Sequence, residues 1–350
     1  LIWEAEMLDD LDFQLIDALQ RAPRASWSAL SPVLRTDPST LSRRWSTMVA
    51  EGLAWTTCYV LPERMQLRSP NGEQLRSSTA VVEVRCEPGQ RELVLSALKD
   101  QGAVINVECT TGSRDLSLTV ASSTPRHIDS YVAEHIGVLP GVVSTSTSFV
   151  RRFFREGSEW TLDFLRTEQM VAVDKLAHHS TVVGPAGHDN LIEDVIRALQ
   201  PNVRRSAAEV AQQLGISIAL ARRGIASVAR SDWVRMRADF AHDVVGWNAS
   251  VHLWMTVPQD RISELATHLG RHRALRLCAS TLGRENVVAT LWLREISDLD
   301  EIEASIRSRF PEAAVTDRWM VPRTVKRMGT VFDSMGRRAR YVPVPLPQTS

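Results

Sequence analysis

Lysine is nearly missing from this chain: Lys99, Lys175 and Lys326 are the only three, and arginine supplies the rest of the 41 basic side chains. That bias suits a GC-rich genome and says nothing firm about function. Net charge is missing too, with 41 basic against 41 acidic residues. Such a balance argues at first against nucleic acid, but phosphate contacts are local, so one basic face is not excluded. Cysteine is scarce. Cys58, Cys86, Cys109 and Cys278 stand too far apart for paired metal spacing, and three of them fall in apolar strand-like runs. They are expected to be reduced core residues, and no metal site is expected. No apolar run approaches the roughly 18 residues of a membrane span, so no membrane partner is expected. The opening Leu1-Ile2-Trp3-Glu4 has no basic segment followed by an apolar one. No signal peptide is therefore expected, and the missing initiator Met suggests a truncated or processed chain. A cytoplasmic protein fits these absences. With no nucleophile–base pair, phosphate loop or metal cluster readable, no catalytic residue, no cofactor and no enzyme are expected.

What is present is a repeat. At 350 residues the chain should hold two to four compact units. Asp9 falls opposite Asp189, an offset of 180, and the match continues through Leu11/Leu191, Ile16/Ile196, Leu34/Leu214 and Arg43/Arg223. Each copy reads as three helices. In the first, Asp9 or Asp10 caps a helix with the stripe Leu11, Leu15, Ile16 and Leu19. Leu30, Val33 and Leu34 mark a short second helix. Thr36-Asp37-Pro38 leads into a third that ends near Gly52. Two helices around a tight turn, the second bearing arginine, form a helix-turn-helix pattern.

At about 100° per residue, Leu41, Trp45 and Met48 share the inner arc of the third helix. Thr40, Arg43, Arg44 and Thr47 share an outer one, and Ser39 precedes them. Hydroxyls and guanidinium groups on one open face suit phosphate and base-edge contacts. In the second copy Thr40 becomes Leu220, Arg44 becomes Gly224 and Thr47 becomes Ser227; only Arg223 keeps its place, while Arg222 and Arg230 add charge off that arc. A mid-helix glycine costs about 1 kcal/mol relative to alanine. The second head is therefore expected to bind DNA poorly or to serve as support, with Arg222 and Arg223 as its contact candidates.

Behind each trihelical part comes a strand–helix–strand–strand–helix–strand order, a ferredoxin-like βαββαβ pattern. The first copy runs from Ala80 to Val150 with a hairpin at Thr111-Gly112-Ser113-Arg114. The second runs from Val251 to Val321. Pro88 matches Pro258 at an offset of 170, and a one-residue insertion in the hairpin then sets Pro140 opposite Pro311. The fold class expected is α+β: two repeats of a trihelical (winged) helix-turn-helix domain followed by a ferredoxin-like βαββαβ effector domain. The expected boundaries are 1–58 and 189–240 for the helix-turn-helix domains and 78–155 and 248–330 for the effector domains. A helical linker at 156–188 holds His178 and His179 in a solvated loop before a flexible joint at 181–187. The basic, Pro-containing tail at 331–350 is expected to be disordered.

These residues resemble the Lrp/AsnC family. The likeness rests on Leu8-Asp9-Asp10-Leu11-Asp12, on Pro38-Ser39-Thr40-Leu41-Ser42-Arg43-Arg44-Trp45 with the closing pair Gly52-Leu53, and on Gly112-Ser113-Arg114-Asp115, which is similar to the Gly-x-x-Asp hairpin of that family's effector (RAM) domain. The resemblance implies a tandem, double-length transcriptional regulator that binds duplex promoter DNA, pairs its effector domains through their sheets and forms homo-oligomers. It also implies a small effector, an amino acid or related metabolite, near the hairpin. Carried over, Thr40, Arg43 and Arg44 become DNA contacts and Thr111, Gly112 and Asp115 effector contacts. Gly112 would allow a tight turn, and Asp115 would accept a bond from an ammonium group; plain hairpin geometry is the other reading of this turn. Gly283-Arg284-Glu285-Asn286 lacks the Asp, so a second effector site of this kind is not expected. Two competing readings share the fold: an assembly protein that has lost DNA binding, and an enzyme like the sirohaem decarboxylases. The latter place His, Tyr and Arg in strands that here, at 104–120 and 275–293, hold no His or Tyr.

Overall fold

The computed structural model describes residues 8–61, 67–68, 74–75, 78–177 and 190–346. His178, His179 and the joint at 181–187 lie outside them. The chain visits two compact units alternately. The first gathers the described residues of 1–77, 161–241 and 337–350, the second 78–160 and 242–336.

In the first unit, α1 (Asp10–Arg21) starts at a capping box in which Asp9 and Asp12 each accept the other's backbone N–H. Its stripe Leu15, Ile16 and Leu19 is fully buried. Ser26 caps α2 (Trp27–Leu34), and Asp37 caps α3 (Pro38–Ala50), whose inner arc Leu41, Trp45 and Met48 is buried as its spacing predicts. Strand β1 (Ala54–Val60) follows, and Leu67–Arg68 (β2) pairs with Gln74–Leu75 (β3). The order recurs as α7 (Asn190–Leu199), α8 (Ala207–Leu214), α9 (Ile218–Arg230) and β8 (Val234–Phe240). Strands β1 and β8 pair antiparallel from Ala54↔Phe240 to Val60↔Val234. At the centre Thr57 faces Arg237, the residue 180 positions on, so each strand meets its own counterpart about a local two-fold. Two edges that would otherwise expose unpaired N–H and C=O groups satisfy one another.

The helices in front of these strands are tied by a reciprocal clamp. Arg24 donates to the carbonyls of Val203 and Arg205, while Arg204 donates to those of Pro23 and Ala25 at 2.9 Å each. Every partner is displaced by the same 180. Arg204 also lies 3.9 Å over the Trp27 ring. Burial, then the charge of Arg24, lowers the pKa of Arg204 to about 10. A guanidinium accepts this desolvation because carbonyl bonds and an aromatic face replace its water.

One expectation, the disordered tail, is corrected in this unit. The linker contributes α6 (Thr167–Leu176) and packs on the first head: buried Asp17 accepts the N–H groups of Phe164 and Leu165, and Phe164 stacks on Phe13 at 4.6 Å. The tail is ordered through residue 346. Strand β15 (Arg338–Tyr341) brings the N–H of Arg338 to the carbonyl of Gly52, and Leu346 is buried in the core of the second head. Gly52 sits at φ +70°, where a Cβ would stand 2.6 Å from the Arg338 carbonyl. Apolar Leu346 gains more from that core than its Pro-spaced neighbours lose on ordering.

In the second unit, β4 (Ser78–Cys86), α4 (Arg91–Leu98), β5 (Val104–Cys109), β6 (Leu116–Ser122), α5 (Pro125–Tyr131) and β7 (Val142–Arg155) form a sheet ordered β7-β4-β6-β5. The elements β9 (Ala249–Thr256), α10 (Ile262–Leu269), β10 (Leu275–Leu282), β11 (Val287–Leu293), α11 (Asp298–Arg309) and β12 (Ala314–Val321) are ordered β12-β9-β11-β10. Each sheet covers its own apolar core with its helices. The hairpin insertion is not there. Arg91/Ile262, Val104/Leu275 and Asp115/Asn286 all stand 171 apart, which sets Pro258 opposite Glu87. A one-residue slip would turn every inward side chain outward, so the ladders keep one register.

The two four-stranded parts belong to one continuous sheet, with β10 beside β7, because each lends an arm to the other. Strand β7 runs on past Val150 to pair with β10, and β13 (Arg323–Arg327) pairs with β5 and with β14 (Thr330–Phe332). The pair Arg152↔Ser280 is the counterpart, 171 residues on, of Cys109↔Arg323. Arg155 donates to the carbonyl of Gly270 at 3.1 Å, and its counterpart Lys326 donates to that of Gln101 at 2.8 Å. Removing the first unit's clamp with Arg24→Ala/Arg204→Ala is expected to cost about 1.5–3 kcal/mol per arginine, read as a lower urea midpoint with the secondary structure retained.

Candidate functional site

Helix α3 presents Ser39, Arg43 and Thr47 to solvent and leaves Thr40 half-buried. Ser39 bonds Asp37 at the cap, and the Thr47 hydroxyl donates back to the Arg43 carbonyl at 3.1 Å. Arg44 departs from the outward face expected of it. Its guanidinium lies 2.8 Å from Asp9 and 3.0 Å from Asp12, tying α3 to the start of α1. Helical spacing places a residue on an arc but does not reveal that an acidic capping box stands opposite. Arg44 therefore braces the helix while Arg43 stays open. In α9, Arg222 and Arg223 are exposed. Gly224 has a packing cause: a Cβ there would stand 2.8 Å from Cγ2 of Val195, so the glycine lets α9 approach α7.

The caps of the two heads differ in chemistry. At Asp9 burial opposes the charge, but the Asp12 N–H and Arg44 outweigh it and hold its pKa below the ordinary 3.8. At Asp37 the hydroxyl and N–H of Ser39 do the same. In the second head Ser217 caps α9 without a titrating group, whereas α8 starts at a capping box in which Glu209 accepts the Ser206 N–H, a bond that holds the Glu209 pKa below the ordinary 4.5.

The hairpin between β5 and β6 is held on three sides. Asp115 accepts the N–H of Cys86 at 2.7 Å, and its own N–H meets the Val84 carbonyl. Thr111 donates its N–H to the Met320 carbonyl and accepts the Met320 N–H on its hydroxyl. Gly112 takes φ +96°, as a tight turn requires. Arg114 reaches Glu83 at 2.6 Å and Asp317 at 2.8 Å and lies 3.9 Å over Trp319. In the other sheet Asn286 does the work of Asp115, accepting the Val257 N–H at 2.9 Å. Thr111 and Asp115 thus have structural bonds in the places where the resemblance implies effector contacts.

Comparison with known proteins bears on both regions. Residues 8–49 match the AsnC-type helix-turn-helix domain, and residues 79–159 match the Lrp/AsnC ligand binding domain. The chain carries both domains. No curated protein matches it. Among solved structures it is similar to the siroheme decarboxylase NirDL, at 14% identity over 91% of this chain and 92% of that one, with a TM-score of 0.56. The same protein was solved with an iron-uroporphyrin III analogue. The chain is also similar to E. coli AsnC, at 18% identity over 42% of this chain and 93% of that one, with a TM-score of 0.33. The regulator NMB0573 of Neisseria meningitidis, solved with L-Met, gives 21%, 43%, 94% and 0.34. The decarboxylase overturns one expectation: the fold spanning 91% of this chain is a fold on which an enzyme is built, so the absence of an enzyme cannot be read from the sequence.

Residues that sequence reasoning missed lie in the second unit, where the ligand-binding domain meets the sheet of β9 to β12. His252 bonds Glu108 at 2.9 Å and Thr290 at 2.8 Å, beside the tilted pair Trp254 and Trp319. His242 stacks on Trp292 at 4.1 Å and accepts from Arg327 at Nδ1. An arginine only donates, so the ring proton sits on Nε2, facing Asp243 at 2.9 Å. No local pattern announces such pairs, because their members are far apart in the chain. Among the described residues no group of three or more His, Cys, Asp and Glu could hold a metal, and no helix is long and apolar enough to cross a membrane.

Two outcomes are expected. Asp115→Ala should strand the Cys86 N–H and lower stability by about 1–3 kcal/mol, whereas Asp115→Asn, with the chemistry of Asn286, should restore most of the thermal midpoint. Both lowered cap carboxylates stabilise the first head above their unfolded value near 3.8 and lose that effect as pH falls through the folded values. Hydrogen exchange below pH 4 should therefore loosen α1 and α3 before α9, whose cap does not titrate.

Proposed function

We propose that this chain is a tandem Lrp/AsnC-type transcription regulator, with two helix-turn-helix heads and two effector domains in one polypeptide acting as a dimer. The observation that carries this reading is the register of β1 and β8. Thr57 opposite Arg237 relates α3 and α9 by a local two-fold, the arrangement by which helix-turn-helix dimers meet two half-sites of a duplex. Joining the halves covalently raises their effective concentration, so the pair forms within one chain. Ser39, Thr40, Arg43 and Thr47 form the reading face of the first head, with Arg44 holding it in place. Arg222 and Arg223 serve the second. The small effector, an amino acid or related metabolite, acts at the hairpin of the ligand-binding domain, where Gly112 opens the backbone and Thr111 bridges to Met320. Chains associate further into homo-oligomers.

The test is binding to promoter DNA from the protein's own operon at several salt concentrations. Arg43→Ala should weaken binding and flatten the plot of log affinity against log salt by about 0.9 for each phosphate that is no longer neutralised. Arg222→Ala/Arg223→Ala should act likewise through the second head. A Soret-band shift on adding iron uroporphyrin, with no DNA bound at any salt, would replace this reading by a tetrapyrrole enzyme.

A further inference from the structure

The two recognition helices are held as a symmetric pair, yet they do not present the same chemistry. Their geometry is set by the β1–β8 register and by the Arg24/Arg204 clamp, both of which repeat at an offset of 180. At that offset, exposed Ser39 of α3 corresponds to exposed Ala219 of α9, and Ser46 to Ala226. Half-buried Ser42 corresponds to exposed Arg222. Ile218, where the first head has Pro38, is 48% exposed at the start of α9. One position is shared: Arg43 and Arg223, both exposed.

From this we infer that the protein reads a directional, non-palindromic operator: two unlike half-sites at one fixed spacing, so that the chain binds in a single orientation. The inference rests on the regulator reading above. Identical heads about a two-fold would require a palindrome. Here the frame is symmetric and the reading faces are not. The first face is hydroxyl-rich, suited to donor and acceptor groups on base edges and to phosphate oxygens. The second is methyl-rich at its leading turn with two adjacent guanidinium groups. Ile218 and Ala219 suit the C5-methyl of thymine, and Arg222 adds a contact to guanine or phosphate that the first head lacks. Arg43 and Arg223, at the same place in the frame, make the contact common to both half-sites. The clamp leaves little freedom in separation, so the half-sites keep one helical phase, with centres about 10–10.5 bp apart or a multiple of that.

The experiment is selection of duplexes from a random pool by the full-length protein, followed by affinity measurements on four designs. These are the recovered site, a palindrome of each half-site, and the recovered site with 5 bp inserted between its halves. The recovered site should be asymmetric and bound at least tenfold more tightly than either palindrome or the insertion. The exposed double substitution Ala219→Ser/Arg222→Ser gives α9 the side chains of α3 at two positions. It should shift preference towards the palindrome of the first half-site, with an unchanged melting temperature as the check on folding. A palindromic consensus, or equal affinity for a palindrome with no shift in the double variant, would overturn the inference and leave the regulator reading standing. Recovery of no duplex at any salt would remove the regulator reading and the inference with it.

Discussion

An unpaired strand edge is the constraint on which much of this structure depends. Each trihelical head ends in one strand, and each four-stranded sheet ends in an open edge. An exposed row of N–H and C=O groups must be covered or it will recruit another chain. The protein covers these edges with its own second copy. β1 takes β8, β10 takes the extension of β7, and β5 takes β13. In the first unit Thr57 meets its counterpart Arg237. In the second, the two arms are exchanged at one constant offset. Self-complementary pairing of this kind ordinarily joins separate subunits.

Once pairing is fixed by backbone bonds, side chains are free to diverge. The second sheet turns Trp254 and Trp319 to the contact between sheets. Their counterparts 171 residues earlier are Glu83 and Ser148. Arg114 resolves the mismatch by lying over Trp319 while bonding Glu83 and Asp317. In the heads the same freedom allowed Gly224 to replace an arginine and bring α9 close to α7. Divergence here accompanies complementary packing, which is different from decay.

The likeness of the whole chain to a decarboxylase, alongside an AsnC-type head and an Lrp/AsnC ligand-binding domain, separates fold from chemistry. Paired sheets and paired heads make a scaffold that different sites can occupy. What the chain does must be argued from particular side chains, such as Arg43 left open on α3 and Arg44 drawn away to Asp9 and Asp12.

The sequence alone determined the helices, the strands and their buried faces, because periods of 3.6 and 2 are local properties. Leu41, Trp45 and Met48 were legible as core from spacing, and so were the βαββαβ order and the duplication of the heads. Tertiary structure decided the rest. The diversion of Arg44, the reason for Gly224, the burial of Asp17 under Phe164 and the capture of Leu346 all depend on what stands opposite. So do the bonds of Asp115 to the Cys86 N–H and of Thr111 to Met320. A sequence states which face of an element seeks cover. Which partner covers it is settled by contacts between residues far apart in the chain, and that information has no local period.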